Sequence, residues 1–483
     1  MTHSALDAYV HPLTERYASS EMQRVFSPNR RFGIWRRLWL VLAECQSELG
    51  LPIPDLALEE MRLGLDNLDL VKAAEYEQRF RHDVMAHVHL FGDVAPSARG
   101  IIHLGATSAF IGDNADLILH RDALTLIRAR VVRTIRELTN FAREHRTVPT
   151  LGYTHFQPAQ ATTIGKRATL WIQDLVLDVE ELDFRLKSLR FRGAKGTTGT
   201  QASFLQLFHG DHDKVEELDR MVAERMGFEK SYGVSGQTYP RKVDAGIAGT
   251  LSCTAASLSK FGHDLRLLAH LQEVEEPFEE EQIGSSAMPY KRNPMRAERI
   301  CALARHVITL SQDPAMTAAS QWLERTLDDS ANRRLSIPDA FLTLDGALVL
   351  AENVASRLEV QLNVVVRNLE VHLPFMAMET VLLRAVETGG GDRQVLHEKI
   401  RRHAFAAAEL IKSGEDNDLV ERVAGDEAFG IDKPTLRAIL EPSQFVGRAP
   451  EQVDRFLKEW VQPVLSRLGP EADRLVGVPN VRV

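Results

Sequence analysis

Residues 124–142 read LTLIRARVVRTIRELTNFA. Apolar side chains recur at Leu124, Ile127, Val131, Ile135, Leu138 and Ala142, in steps of three or four. That is the period of one face of an α-helix, not the alternation of a strand. The stepping returns at Ile164, Ala168, Trp171, Leu175, Val179, Leu182, Leu186 and Leu189. It returns again at Leu251, Thr254, Leu258, Phe261, Leu265 and Leu268, and none of the three runs contains proline. A helix of about 30 residues is roughly 45 Å long, and an apolar stripe of that length must be covered by other helices. Ser336–Asn363, with Pro338 near its start, reads as a further helix. Strand signals are sparse, with Phe204–Phe208 a candidate extended run. The sequence therefore predicts an all-α protein. A more mixed N-terminal domain spans 1–107, a central bundle of long helices 108–360, and a C-terminal helical domain 361–483 with a break at Gly389–Gly391.

The chain has 483 residues, 44% hydrophobic and 26% charged, enough to bury a large core without a disordered tract. Its formal net charge of −9 argues against a nucleic-acid surface. Charge is unevenly spread, however: residues 285–305 hold Lys291, Arg292, Arg296, Arg299 and Arg305 against Glu298 alone. A local cationic patch on an acidic protein suits a small anion. Cys45, Cys253 and Cys301 are far apart and fit no metal spacing, as expected of reduced thiols in a cytoplasmic protein. No secretory leader or membrane span is expected.

Dense polar stretches interrupt the helices: RHDVMAH (81–87), GATSAFIGDN (105–114), GYTHFQPAQ (152–160), KGTTGTQAS (195–203) and GSSAMPYKRNP (284–294). Free N–H groups and hydroxyls at helix ends suit anion binding. Thr107 and Ser108 precede a long helix and serve equally well as ordinary caps. Pro158 permits a helix just after it, which would put His155 on the approach to that helix. A lone histidine there is as readily a capping group as a general acid. His82, His87 and His89 do not form an i,i+4 ligand pair, so no metal is expected. In WLERTLDDSANRR (322–334), Arg325, Arg333 and Arg334 alternate with acids. They read either as a salt-bridged face or as a phosphate clamp.

GSSAMPYKRNP is more specific. Gly284, Pro289 and Pro294 impose a loop that gathers hydroxyls, amides, a lysine and an asparagine. Proton removal beside a carboxylate needs such a set, because the carboxylate then takes up further negative charge. Serine is a weak base unless its alkoxide is stabilised, which a loop closing over substrate can do.

This loop resembles the GSSxMPxKxNP signature of the fumarase/aspartase superfamily of β-eliminating lyases. TSAFIGDNADLI, PTLGYTHFQPAQ, FRGAKGTTGTQASFLQLF, GSSAMPYKRNPMRAER and QWLERTLDDSANRR together resemble the adenylosuccinate lyase family in its animal form. The likeness runs from near Arg16 to Arg448–Phe456. It implies a three-domain, fumarase/aspartase-like subunit in a homotetramer, three subunits contributing to each active site. The implied reaction is anti β-elimination of fumarate from adenylosuccinate, giving AMP, and the same elimination from succinyl-carboxamide imidazole ribotide in purine biosynthesis. The implied partners are these succinylated purine nucleotides, fumarate and AMP; the elimination itself needs no cofactor or metal, and charge and hydropathy lead to no expected nucleic-acid or membrane partner.

Residue by residue, the resemblance makes Ser285 the general base and His155 the general acid, with His82 assisting. Lys291 and Asn293 hold the succinyl carboxylate, and Thr107, Ser108 and Arg299 also contact the succinyl part. Arg16, Tyr17, Arg325, Ser330 and Arg334 face the nucleotide. Arg81, His82 and Asp83 line its end, and Gln237 approaches from its own loop. Ser286 stands beside Ser285 and is not separated from it by sequence. Argininosuccinate lyase, which needs no nucleotide contacts, is the enzymatic rival, and a non-catalytic structural relative is the other.

Overall fold

The computed structural model describes residues 7–389 and 392–475. The helices that position the site are α1 (Pro28–Glu48), α2 (Asp83–Val94), α3 (Ser108–Glu144), α4 (Ile164–Ser188), α5 (Lys242–His270), α6 (Met295–Leu310), α7 (Asp329–Ala355) and α8 (Leu362–Gly389). At 37 residues, α3 is about 55 Å long. It packs on α4 and α7, while α5 packs on α4, α6 and α7, giving the expected bundle. All six stripe residues between Leu124 and Ala142 are fully buried in its core. Among the described residues, no helix is long and apolar enough to cross a membrane.

Three local expectations are corrected. The helix expected just after Pro158 begins at Ile164, capped by the Thr163 hydroxyl, which accepts the Lys166 N–H at 3.1 Å. Before it lies an antiparallel hairpin of β1 (Pro149–Thr154) and β2 (Gln157–Thr163), with Pro158 inside β2 opposite Tyr153. His155 and Phe156 form the two-residue turn, both left-handed at φ 53° and 57°. That double positive φ matches the right-handed twist of the strands. Gly152 lies where a Cβ would come within 2.5 Å of the Gln160 carbonyl, so the bulge there needs glycine.

The candidate extended run at Phe204–Phe208 is helical instead through Leu207, in the helix Ala202–Leu207, with Phe208 as its C-cap. Its two phenylalanines, four apart, share one buried face. The helix read over Ser336–Asn363 starts earlier, at Asp329, and ends at Ala355. An extended pair follows, with Val360 opposite Val274, before α8 begins. The expected break at Gly389–Gly391 reaches outside the described residues; α8 ends at Gly389 and the next helix begins at Arg393.

Residues from Ala377 to Ile439 build a separate small core. The chain then returns to the bundle: Val453, Leu457, Val461, Val464 and Leu468 join the main core, and Glu471 pairs with Arg128 of α3 at 2.7 Å.

Candidate active site

Two of the polar stretches, 105–114 and 322–334, are joined through residues 239–244. Asn114 on α3 accepts the Gly193 N–H at 3.1 Å and donates to its carbonyl at 3.3 Å. Asp113 accepts the Tyr239 N–H at 2.8 Å and pairs with Arg241, whose Nε donates to Asp329 at 2.6 Å. Arg333 donates to Asp244 at 2.7 Å and to Asp116 at 3.1 Å. The Tyr239 hydroxyl donates to Asp244 at 2.6 Å. Burial alone would raise the Asp244 carboxyl, but Arg333, with Arg241, holds it below the usual carboxylate range. Charges this deeply buried persist only as complete pairs.

Above this network opens a cleft of about 430 Å³. Arg81, His82 and Asp83 reach it from the lead-in to α2, Ser108 from the start of α3, and Gln237 from the loop before α5. Arg325 comes from the segment before α7, Ser330 and Arg334 from its first turns, and Trp35 and Arg31 from α1. Arg81 adopts a left-handed backbone at the end of the preceding helix, and His82 caps α2. Asp83 accepts from Arg334 at 3.1 Å, tying two of the stretches across the opening. Thr107 is the N-cap residue of α3, yet its side chain makes no capping bond. The positive end of a long helix is therefore presented at the cleft.

Glycines set the Gln237 loop. A Cβ on Gly236 would lie 2.5 Å from the Glu324 carbonyl, the same carbonyl that accepts the Gln237 N–H at 3.0 Å. Gln237 is thus held against the segment carrying Arg325. Five of the lining residues carry a buried polar atom without a hydrogen-bond partner among the described residues: Arg31 Nε, Trp35 Nε1, His120 Nδ1, Arg325 Nη1 and Asp329 Oδ1.

The remaining candidates lie off this wall. Tyr17 packs against Gly346 of α7, with its ring 5.8 Å from the Arg299 guanidinium, and Arg16 is exposed on the same turn. Gly346 is about 24 Å along α7 from Ser330, so one chain does not bring Tyr17 and Ser330 together. In the loop before α6, the Ser285 hydroxyl accepts the Met288 N–H at 3.1 Å, and Asn293 donates to the Gly284 carbonyl at 2.8 Å. Lys291 is exposed, as is Ser286, whereas Ser285 is half-buried. Glu276 fixes the end of the loop by accepting the first N–H groups of α6, from Arg296 at 2.9 Å and Ala297 at 2.8 Å. His155 is exposed at the hairpin tip.

His87 and His89 serve packing. His87 stacks on Phe32 at 3.9 Å, and burial, with Arg36 nearby, pushes it down to about 4. His89 stacks on Phe80 at 4.5 Å. Sequence reading missed Trp35, His120, Asp113 and Arg241. A signal existed for two of them: stepping back along the α3 stripe from Leu124 meets His120, Leu117 and Asp113, polar side chains in a buried apolar register. Burial holds the His120 imidazole below its ordinary value, which favours the neutral ring.

Residues 76–309 match the family described as Lyase, and residues 374–456 match the adenylosuccinate lyase C-terminus. The chain is 53% identical to adenylosuccinate lyase of Saccharomyces cerevisiae over 464 residues, 95% of this chain and 96% of that one. It is 49% identical to adenylosuccinate lyase of Schistosoma mansoni over 462 residues, with the same shares covered. The crystal structure of fumarate lyase from Mesorhizobium sp. BNC1 superposes with a TM-score of 0.77 at 22% identity, over 94% of this chain and 100% of that chain, which establishes a common fold. On these grounds the chain belongs to the adenylosuccinate lyase family of the fumarase/aspartase superfamily.

Proposed function

We propose that the protein eliminates fumarate from adenylosuccinate to give AMP, and from succinyl-carboxamide imidazole ribotide in the same manner, within purine biosynthesis. The observation that carries this reading is the 53% identity, over nearly the whole of both chains, to a relative named for that reaction. The cleft supports it physically. Arg81, Arg325 and Arg334, with the open end of α3, provide a cationic region suited to a phosphate.

In the proposed mechanism, Ser285 takes the β-proton of the succinyl group. The electron pair delocalises into the adjacent carboxylate, held by Lys291 and Asn293. It then forms the double bond of fumarate as the C–N bond breaks, and His155 protonates the departing nitrogen. A purine amine leaves poorly without that proton, so a general acid is chemically required. The elimination is redox-neutral and calls for no cofactor. Ser285 is favoured over Ser286 because the Met288 N–H already points at its hydroxyl oxygen, the arrangement that stabilises an alkoxide.

The proposed assembly is a cytoplasmic homotetramer whose sites draw on three subunits: the cleft of one chain, the Ser285 loop and the His155 hairpin of others. An exposed apolar stripe on α4 at Leu170, Leu177 and Phe184, seven residues apart, supports helix packing between copies. The test is incubation of the purified protein with adenylosuccinate, following the ultraviolet change to AMP. Absence of turnover, with argininosuccinate cleaved instead, would overturn the reading.

A further inference from the structure

The turn carrying Arg16 and Tyr17 is short, Leu13–Tyr17, with Leu13 as its buried residue. Two adjacent residues of α7 hold it in place. Asp345, fully buried, accepts the Ser19 N–H at 2.6 Å through one carboxylate oxygen and the Arg130 Nε at 2.6 Å through the other. Ser19 in turn caps the helix Ser20–Val25, its hydroxyl accepting the Met22 N–H at 3.2 Å. The Gln23 amide, on that helix, reaches back to donate to the Thr14 and Ala18 carbonyls at 2.8 and 2.9 Å. The turn is therefore strapped to its neighbouring helix, and both are fixed to α7 through Asp345.

Gly346 completes the seat. A Cβ there would lie 3.0 Å from the Tyr17 Cβ and 3.1 Å from its carbonyl carbon and oxygen. Glycine in mid-helix is unfavourable by propensity, and here its missing side chain is the space Tyr17 occupies. Beyond it the Tyr17 ring lies beside Arg299, whose Nη1 is buried without a hydrogen-bond partner.

We infer that Asp345 and Gly346 are positioning residues for substrate binding: they set the place of Arg16 and Tyr17, and through Tyr17 the approach to Arg299. The inference rests on the functional reading above. It assigns them a role in KM, since they touch neither the reacting atoms nor the Ser285 loop.

The test is steady-state kinetics of the full-length D345N and G346A enzymes on adenylosuccinate, with melting curves alongside. In D345N the amide has one acceptor oxygen where two donors need one each, so the strap loosens. In G346A the added methyl shifts Tyr17 by a few tenths of an ångström, while alanine is the better helix former. The expected result is a KM raised about fivefold in D345N and about threefold in G346A with kcat within about twofold, the sign of lost ground-state and transition-state binding together. G346A should melt no lower than wild type, an outcome that a merely structural role for Gly346 does not give alongside a raised KM. Wild-type turnover with KM unmoved in both variants overturns the positioning role. So does loss of kcat and thermal stability in G346A at unchanged KM. A wild-type enzyme that leaves adenylosuccinate intact overturns the functional reading and this inference with it.

Discussion

The side-chain amide of Asn293 donates to the carbonyl of Gly284 at 2.8 Å, closing the loop between them on itself. Gly284 must be glycine for this, because a Cβ there would fall 2.1 Å from the Lys291 carbonyl. Asn293 thus has two tasks, a latch seen here and a proposed contact to the succinyl carboxylate. Asn293→Ala should lower kcat/KM at least about tenfold, the low side of losing a donor to developing negative charge. It should also speed tryptic cleavage after Lys291 or Arg292. Normal turnover would remove Asn293 from the chemistry, and an unchanged digestion rate would show that the hydrogen bond does not hold the loop.

Ser285 and His155 lie on separate excursions from the bundle, one in the loop before α6 and one at the tip of the β1–β2 hairpin. Ser285→Ala and His155→Ala should each reduce turnover at least about 10²-fold, while Ser286→Ala should stay near wild type. If different subunits supply the two groups, mixing the two inactive variants and allowing subunits to exchange should restore activity, because some hybrid sites then hold both. Hybrid assemblies confirmed by mass, yet inactive, would rule out sharing of these two residues between chains.

His87 gives a pH prediction. Its ring is held neutral in the fold, down from 6.5 to about 4, by burial first and Arg36 second. The unfolded chain binds the proton more readily, so stability rises with pH across that window. The contribution is fully present above about pH 6.5 and is lost as pH falls towards 4. His87→Phe keeps a ring against Phe32 and Trp35 and removes the titration. The melting temperature of wild type should therefore fall more steeply than that of H87F between pH 6.5 and 4. Parallel curves would show that His87 does not titrate there.

What could be read in the sequence follows from how local each feature is. The α3 stripe declares itself within 19 residues, because burial there depends on a helical period and nothing else. The β1–β2 hairpin does not: its turn is His155–Phe156, lacking the Asn-Gly or Asp-Gly that marks such turns, and Pro158 points towards a helix start. The left-handed pair is held by strand pairing, which no short window displays. Arg333 could be seen among charged neighbours and taken as a solvated face. Its partners Asp116 and Asp244 lie far away in sequence, and only the fold makes it a buried group. Of the cleft residues, Ser108 and Arg334 lie in motifs that carry the resemblance, whereas Arg81 and Gln237 follow only from the family likeness along the whole chain. Trp35 belongs to no quoted motif and became visible only when α1 was seen to pass beside the cleft.

Two arginine triads separate geometry from energy. Arg220 contacts Glu217 at 2.6 Å and Glu224 at 2.7 Å, and all three side chains are well exposed. Arg241 contacts Asp329 at 2.6 Å and Asp113 at 3.1 Å, no closer, but with every partner buried. Water and salt screen the first set, and its members are solvated when apart. Removing Arg241 strands two carboxylates in the core, which costs about 3–5 kcal/mol for a broken buried pair. Arg220→Ala should melt indistinguishably from wild type. Arg241→Met, which keeps much of the side-chain volume, should lower the melting temperature by roughly 5 °C or more. It should also reduce turnover, because Asp329 begins the helix that presents Ser330 and Arg334. The comparison is made at low and high salt. An Arg241→Met protein as stable as wild type under both conditions would mean that the network is not what holds the cleft floor.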